Sequence, residues 1–157
     1  MSRAFIKEDA GDPDELPERH QSASPNYVTP EGLAALKQRA SELLDRLKSL
    51  PSDSREAKAA KRDLRYFDGR LASAIPVDPK VAPADEVRFG ARVELQSADG
   101  GKRTVTIVGQ DEAEGAGDKI AWDSALALSL MGTKKGERVE TDDAGAVTVL
   151  SFAYPGR

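Results

Sequence analysis

Two apolar series with heptad spacing constrain the fold of this chain more than any other feature of its sequence. In each series, six apolar residues follow one another at alternating intervals of three and four, and Pro51 to Ser54 separate the two. This spacing places apolar side chains on one face of a helix and is typical of coiled coils. The pattern therefore predicts an antiparallel coiled-coil hairpin. The first series is Leu33, Leu36, Ala40, Leu43, Leu47 and Leu50, and the second is Ala57, Ala60, Leu64, Phe67, Leu71 and Ala74.

Both predicted helices have recognisable start signals. Thr29 can cap the first helix, and Pro30 suits its first position. The second helix is predicted to start at Asp53 or Ser54, where Asp53 and Glu56 have the spacing of a capping box. In this interpretation Asp53 caps the helix and Glu56 reaches back to the amide of the cap. The same two carboxylates lie at the predicted tip, so they could instead hold a divalent cation in the active site of a partner.

Composition divides the chain into four segments. Residues 1–26 are acidic, contain several prolines and have few apolar residues, which predicts a disordered tail. Residues 27–75 form the predicted hairpin, and the proline-rich residues 76–86 are predicted to be a linker. From residue 87 to residue 157 the apolar pattern alternates, which predicts a small globular domain. The chain is therefore predicted to have an α+β fold.

The predicted globular domain has four or five strands and one helix. Asp99 and Gly100 lie in a predicted hairpin turn, and Gly132 is predicted to close the helix in a left-handed conformation. The predicted strands are 87–95, 103–109, 119–122, 137–141 and 147–154, and the predicted helix is 124–131.

Composition argues against several classes of site. The chain has no cysteine, which excludes disulfides and thiolate metal sites, and His20 is its only histidine. No glycine-rich turn suited to phosphate binding occurs. The acidic residues at 111–114 and 142–143 are predicted to serve in turns. We therefore expect no catalytic machinery, metal or cofactor, and the lack of a long apolar run predicts a cytoplasmic protein.

One face of the second predicted helix is basic. Four cations follow one another at intervals of three and four, so they share one stripe beside the apolar seam. They could meet an acidic wall or phosphates, or they could pair with Glu42 and Asp45 of the first helix as a solvated flank. The basic stripe consists of Arg55, Lys58, Arg62 and Arg65.

Several stretches of the chain resemble the bacterial Gre transcript-cleavage factors (GreA and GreB). They comprise residues 27–38, 65–66, 77–78, 87–95, 107–112 and 122–137, within a region that covers roughly 27–154. The resemblance implies an N-terminal coiled-coil hairpin and an FKBP-like C-terminal domain. It also implies that the C-terminal domain docks on RNA polymerase at the rim of the secondary channel, while the hairpin points toward the catalytic Mg²⁺. The implied docking residues are Asp123, Ser124, Met131 and Gly132.

Two departures from the family pattern change the expected activity. The cleavage factors have an acidic loop of the form Gly-Asp-Arg-Ser-Glu-Asn-Ala at the hairpin tip, which this chain lacks, and its arms are several turns shorter. Ala125 also replaces the usual proline after Ser124. In hairpin length the chain resembles the regulator of nucleoside diphosphate kinase, a related polymerase-binding group. We therefore expect a monomeric, non-catalytic polymerase accessory factor that contacts nascent RNA or DNA only through the polymerase.

The sequence also allows two alternative functions. A true transcript-cleavage factor would use Asp53 and Glu56 to hold metal at the hairpin tip. An FKBP-like peptidyl-prolyl isomerase would need an aromatic pocket, for which the C-terminal domain offers Phe89, Trp122, Phe152 and Tyr154.

Overall fold

The computed structural model of the protein describes residues 16–115, 117–142 and 144–156. The chain has the predicted mixed α+β fold, with two long helices and a five-stranded sheet. Among the described residues, no helix is long and apolar enough to cross a membrane. The helices are α1 (Pro30–Ser49), α2 (Arg55–Ser73) and α3 (Ala125–Leu130), and the strands are β1 (Asn26–Val28), β2 (Ala74–Pro76), β3 (Arg92–Ser97), β4 (Lys102–Val108), β5 (Lys119–Ala121), β6 (Arg138–Thr141) and β7 (Gly145–Ala153).

The long helices α1 and α2 pack along each other and are joined by a short turn at residues 50–54. Thr29 caps α1 as predicted, because its hydroxyl oxygen accepts a hydrogen bond from the Gly32 amide at 3.0 Å. The predicted cap of α2 is wrong. Ser54 rather than Asp53 holds this position, and its hydroxyl oxygen accepts from the Ala57 amide at 3.1 Å.

Strands β1 and β2 close the base of the helical pair. They run parallel to each other, with Asn26 paired to Ala74 and Val28 paired to Pro76. The amide of Val77 then donates to the Val28 carbonyl at 2.9 Å. The sequence pattern does not predict this pairing, and Asn26 falls in the predicted disordered tail.

Residues 16–25, which belong to the predicted disordered tail, lie against α2. Glu18 forms an ion pair with Arg65, and the Arg19 guanidinium carbon lies 3.9 Å from the centre of the Tyr66 ring. These contacts are ionic and cation–π interactions rather than apolar burial, so the apolar content of the segment gave no sign of them. Residues 1–15 of the predicted tail lie outside the described residues.

The sheet has the strand order β5-β4-β3-β7-β6. Strands β4 and β5 pair in parallel, and the other neighbours are antiparallel. Alternate residues of the central strands point to a core that α3 covers through three buried side chains, Leu126, Ala127 and Leu130. The remaining buried core residues are Val87, Ala91, Val93, Leu95, Val105, Ile107, Val147, Val149 and Tyr154.

The first strand of the sheet starts later than predicted. Residues 87–91, predicted to belong to it, form irregular structure, and β3 begins at Arg92. Gly90 has a φ of 87°, which interrupts an extended strand and favours glycine. The Val87 amide donates to the Thr133 carbonyl at 2.8 Å, so this segment binds the chain that leaves α3. Gly132 has the predicted left-handed conformation, with a φ of 86°.

Candidate functional site

The four residues implied in docking lie at the two ends of the short helix α3. Asp123 and Ser124 directly precede the helix, and Met131 and Gly132 directly follow it. Because α3 has only six residues, a single small surface includes both pairs. Leu128 lies between them with 54% of its surface exposed, an apolar side chain that the sequence analysis did not single out.

Asp123 and Ser124 differ in their local roles. Ser124 caps α3, because its hydroxyl oxygen accepts from the Ala127 amide at 3.3 Å. Asp123 instead accepts a hydrogen bond of 2.6 Å from the side-chain nitrogen of Gln110. Gln110 follows β4, so the connection between β4 and β5 reaches the start of α3.

A buried cation, Arg70, lies at the base of α2. Its side chain is only 2% exposed, and its Nε atom lies 2.7 Å from a carboxylate oxygen of Asp111. Its Nη2 atom donates to the side-chain oxygens of Asn26 at 2.6 Å and Gln110 at 3.1 Å. Arg70 therefore joins α2, β1 and the segment after β4. Periodicity could not identify it, because an arginine on a two-helix hairpin ordinarily faces solvent.

Asp111 also accepts a hydrogen bond from the hydroxyl group of Tyr66, one turn before Arg70 on α2. Burial, followed by this hydrogen bond to a carboxylate, raises the pKa of Tyr66 to about 12 from its usual 10.0. The neutral phenol is thus the form that the folded protein favours.

We expect the folded protein to contain a tyrosine that ionises near pH 12, and the Tyr66→Phe variant to lack it. Because the folded-state pKa is raised, the stabilisation is fully present below pH 10 and is lost as the pH rises through about 12. An ultraviolet absorbance titration of tyrosinate in both proteins checks this. The same alkaline titration curve in both would contradict the assignment.

A second carboxylate, Glu112, holds the start of α1. Its Oε2 atom accepts from the backbone amides of Gly109 at 3.0 Å and Thr29 at 3.2 Å, and its Oε1 atom accepts from the Thr29 hydroxyl group. Residues 111–113 form a single 3₁₀ turn, in line with the predicted turn role. Asp111 and Glu112 additionally join the sheet to α2 and α1, which the sequence analysis did not anticipate.

The aromatic residues considered for an isomerase pocket take part in packing. Tyr27 of β1 contacts the rings of Phe89 and Trp122, with ring centres 6.1 and 5.1 Å apart. Phe152 and Tyr154 contact each other at 6.2 Å. The Tyr27 contacts add to those that hold the helical pair against the sheet. Phe89 also lines a surface cavity, together with Val77 and Pro79.

The tip of the hairpin is a compact turn. The Ser54 hydroxyl group donates to the Pro51 carbonyl at 2.7 Å, in addition to capping α2. Asp53 and Glu56 are exposed there. Within the described part of the chain, no group of three or more histidine, cysteine, aspartate or glutamate residues is arranged to hold a metal ion.

Two cations of the basic stripe pair with carboxylates other than those predicted. Arg65 pairs with Glu18, and Arg62 pairs with the adjacent Asp63 at 3.0 Å. The carboxylates predicted as partners bind within α1, where Asp45 pairs with Lys48 at 3.3 Å and Glu42 accepts from Gln38 at 3.0 Å. Glu18, in the segment predicted to be disordered, is thus one acidic partner of the stripe.

Comparison with known proteins assigns the family. The family described as "Transcription elongation factor, GreA/GreB, C-term" matches residues 82–154. The transcription elongation factor GreB of Neisseria meningitidis is 35% identical over 153 residues, covering 82% of this chain and 94% of that protein. GreA of Zymomonas mobilis is 38% identical over 74 residues, covering 47% of each protein.

Among solved structures, a prokaryotic elongation factor GreA/GreB from Nitrosomonas europaea is 20% identical, covering 83% of this chain and 99% of that one, with a TM-score of 0.40. This structural match is loose, and the assignment rests on the sequence relatives. The match to GreB covers most of this chain, and the family match spans the sheet and α3. This chain belongs to the Gre family of transcription elongation factors.

Proposed function

We propose that this protein binds RNA polymerase and regulates elongation without efficient transcript cleavage. In this proposal the sheet docks at the rim of the secondary channel through the surface at the two ends of α3, formed by Asp123, Ser124, Met131 and Gly132. The two long helices form a coiled-coil rod that enters the channel and obstructs it. Membership of the Gre family and the grouping of these four residues around one short helix support the proposal.

The length of the helical pair carries the proposal. Helix α1 has 20 residues and α2 has 19. At 1.5 Å per residue, a helix of this size extends about 30 Å. The match to GreB is 153 residues long, but only 82% of the 157 residues of this chain take part in it. GreB therefore has residues in the matched region that this chain lacks.

The compact tip supports the same conclusion. Residues 50–54 hold the turn and the Ser54 cap, which leaves no acidic loop of the kind the cleavage factors present. A short rod without this loop fills the entrance of the channel and stops before the catalytic metal. The basic stripe of Arg55, Lys58, Arg62 and Arg65 is proposed to face the channel wall, and contact with nascent RNA or DNA would be indirect.

We expect the protein to capture core RNA polymerase, and Asp123→Lys to weaken this binding at least about tenfold, because a cation replaces a carboxylate of the docking surface. Titration of labelled protein with polymerase, read by fluorescence anisotropy, measures the effect. Asp99→Lys makes the same charge change at an exposed residue of the β3–β4 turn, at the other end of β4 from Gln110 and Asp123, and is expected to bind normally. Absence of wild-type binding at micromolar concentration would refute the proposal.

The second candidate function is transcript cleavage assisted by the hairpin tip. One observation favours it: Ser54 provides the cap of α2, so the carboxylate of Asp53 is not needed there. Asp53 and Glu56 are both exposed at the tip and could hold a divalent cation through one or two carboxylates.

Backtracked elongation complexes distinguish the two candidates. We expect the wild-type protein to release short RNA 3′ fragments no faster than polymerase alone, and Asp53→Ala/Glu56→Ala to behave identically, because the tip stops short of the metal. Gel analysis of end-labelled RNA gives the rates. Stimulation by the wild type that the double variant loses, with α-helical content preserved by circular dichroism, would establish the second candidate instead.

A further inference from the structure

We propose that Gln110 is a positioning residue of the docking surface, which holds the Asp123 carboxylate in one orientation and ties it to Arg70 at the base of the helical pair. The proposal rests on the function proposed above, in which Asp123 contacts the polymerase. It goes beyond that function because it assigns a role to a residue outside the docking surface. It also connects the docking surface to the helical pair.

The side chain of Gln110 has its polar atoms engaged with three separate segments of the chain. Its Oε1 atom accepts from Nη2 of Arg70 on α2 at 3.1 Å. Its Nε2 atom donates to Oδ2 of Asp123 at 2.6 Å and to the Ser22 hydroxyl oxygen at 3.1 Å. Both amide hydrogens and the amide oxygen are therefore used.

The chemistry of the partners fixes which way the amide points. A guanidinium group has only donors, and an ionised carboxylate has only acceptors. Reversing the amide of Gln110 would place its NH₂ group against Arg70 and its oxygen against Asp123. Both contacts would then be unfavourable, so the orientation is determined at both ends.

Arg70 supplies a fixed point for this chain of contacts. Its side chain is 2% exposed and is also held by Asp111 and Asn26. Gln110 thus extends from a buried cation with several partners to a carboxylate beside the surface. A carboxylate that is already oriented loses less conformational entropy when a partner binds, which raises affinity without any new contact. The orientation of the Asp123 carboxylate therefore depends on Arg70 of α2, through Gln110.

A double-mutant cycle on polymerase binding tests the role. We expect Gln110→Leu to weaken binding about tenfold in the wild-type background and to have no effect in an Asp123→Ala background, because Gln110 acts through Asp123. A purely structural loss would instead weaken binding in both backgrounds. Gln96→Leu is the matched control, since the side chain of this glutamine donates to the Gly100 carbonyl at 3.4 Å in the exposed β3–β4 turn, and it should bind normally.

A second variant keeps the test valid if Gln110→Leu folds poorly. Gln110→Glu retains an acceptor for Arg70 but replaces the donor to Asp123 by a second carboxylate. We expect it to weaken binding at least as much as Gln110→Leu, again only when Asp123 is present. Thermal unfolding of every variant identifies those that are folded at the assay temperature.

A measurement on the free protein separates this inference from the proposed function. We expect the side-chain amide hydrogens of Gln110 to exchange with solvent faster in Asp123→Ala than in the wild type, as followed by nuclear magnetic resonance. Unchanged exchange, or equal weakening by Gln110→Leu in both backgrounds, would overturn the positioning role. Failure of the wild type to bind polymerase would overturn the proposed function, and with it the docking role, even if the exchange result is as expected.

Discussion

Replacing Arg70 by alanine is expected to lower the free energy of unfolding by about 3–5 kcal/mol, the range for breaking a buried ion pair. The variant removes the cation that pairs with the Asp111 carboxylate, whose side chain is 12% exposed, and it leaves the oxygens of Asn26 and Gln110 without their guanidinium donor. Asn26 is buried, and Asp111 and Gln110 are partly buried, so each lost hydrogen bond carries a desolvation cost. Urea denaturation followed by circular dichroism measures the change.

Arg65→Ala provides the matched control for this prediction. Arg65 lies on the same helix, but its ion pair with Glu18 is 56% and 61% exposed. Exposed pairs contribute about 0–1 kcal/mol, so this variant should unfold close to the wild type. Equal losses in Arg65→Ala and Arg70→Ala would show that the buried network contributes no more than a surface pair.

Gly109→Val is expected to lower the free energy of unfolding by about 3 kcal/mol, at the upper end of the usual cost of overpacking. A Cβ atom at this position would lie 2.5 Å from the backbone oxygen of Tyr27 and 3.0 Å from Oε2 of Glu112. The oxygen belongs to β1, which β2 holds in place, so it cannot move aside as a flexible side chain would. We expect the helical pair to separate from the sheet at this point.

Gly117→Val is the control for Gly109→Val. Like Gly109, Gly117 lacks the left-handed φ that favours glycine, and a Cβ atom there would meet nothing within 4 Å. The same substitution should therefore change stability little, or raise it slightly by restricting the unfolded chain. Thermal unfolding of both variants measures the comparison, and an equally small effect of Gly109→Val would contradict the close approach of Tyr27.

The sequence predicted the secondary-structure elements that depend on residues close to one another in the chain. The heptad series and the Thr29 cap are features of neighbouring residues, and they led to α1 and α2 with nearly correct ends. The cap of α2 was assigned to the wrong residue because Asp53 and Ser54 are both good caps. The choice depends on which backbone is extended, and Ser54 has a ψ of 153°.

The contacts that hold the helical pair on the sheet could not be predicted in the same way. They join residues distant in the sequence, such as Arg70 with Asp111 and Thr29 with Glu112, and all four residues are polar. Polar residues on a helix or in a turn have the pattern of a solvated surface, whether or not a partner covers them. The placement of Asp123 beside α3 came from the family resemblance, whereas its hydrogen bond to Gln110 required the structure.

The parallel pairing of β1 with β2 gives the helical pair two independent closures, the turn at one end and the strands at the other. Residues added or removed in equal number from both arms between these closures would leave each of them unchanged, provided that whole heptads are exchanged and the seam is kept. In such an architecture, the length of the two long helices can change in evolution without a change in the contacts that hold them on the sheet. Relatives with different reach can therefore arise by paired insertions or deletions, without redesign of the sheet that carries the rod.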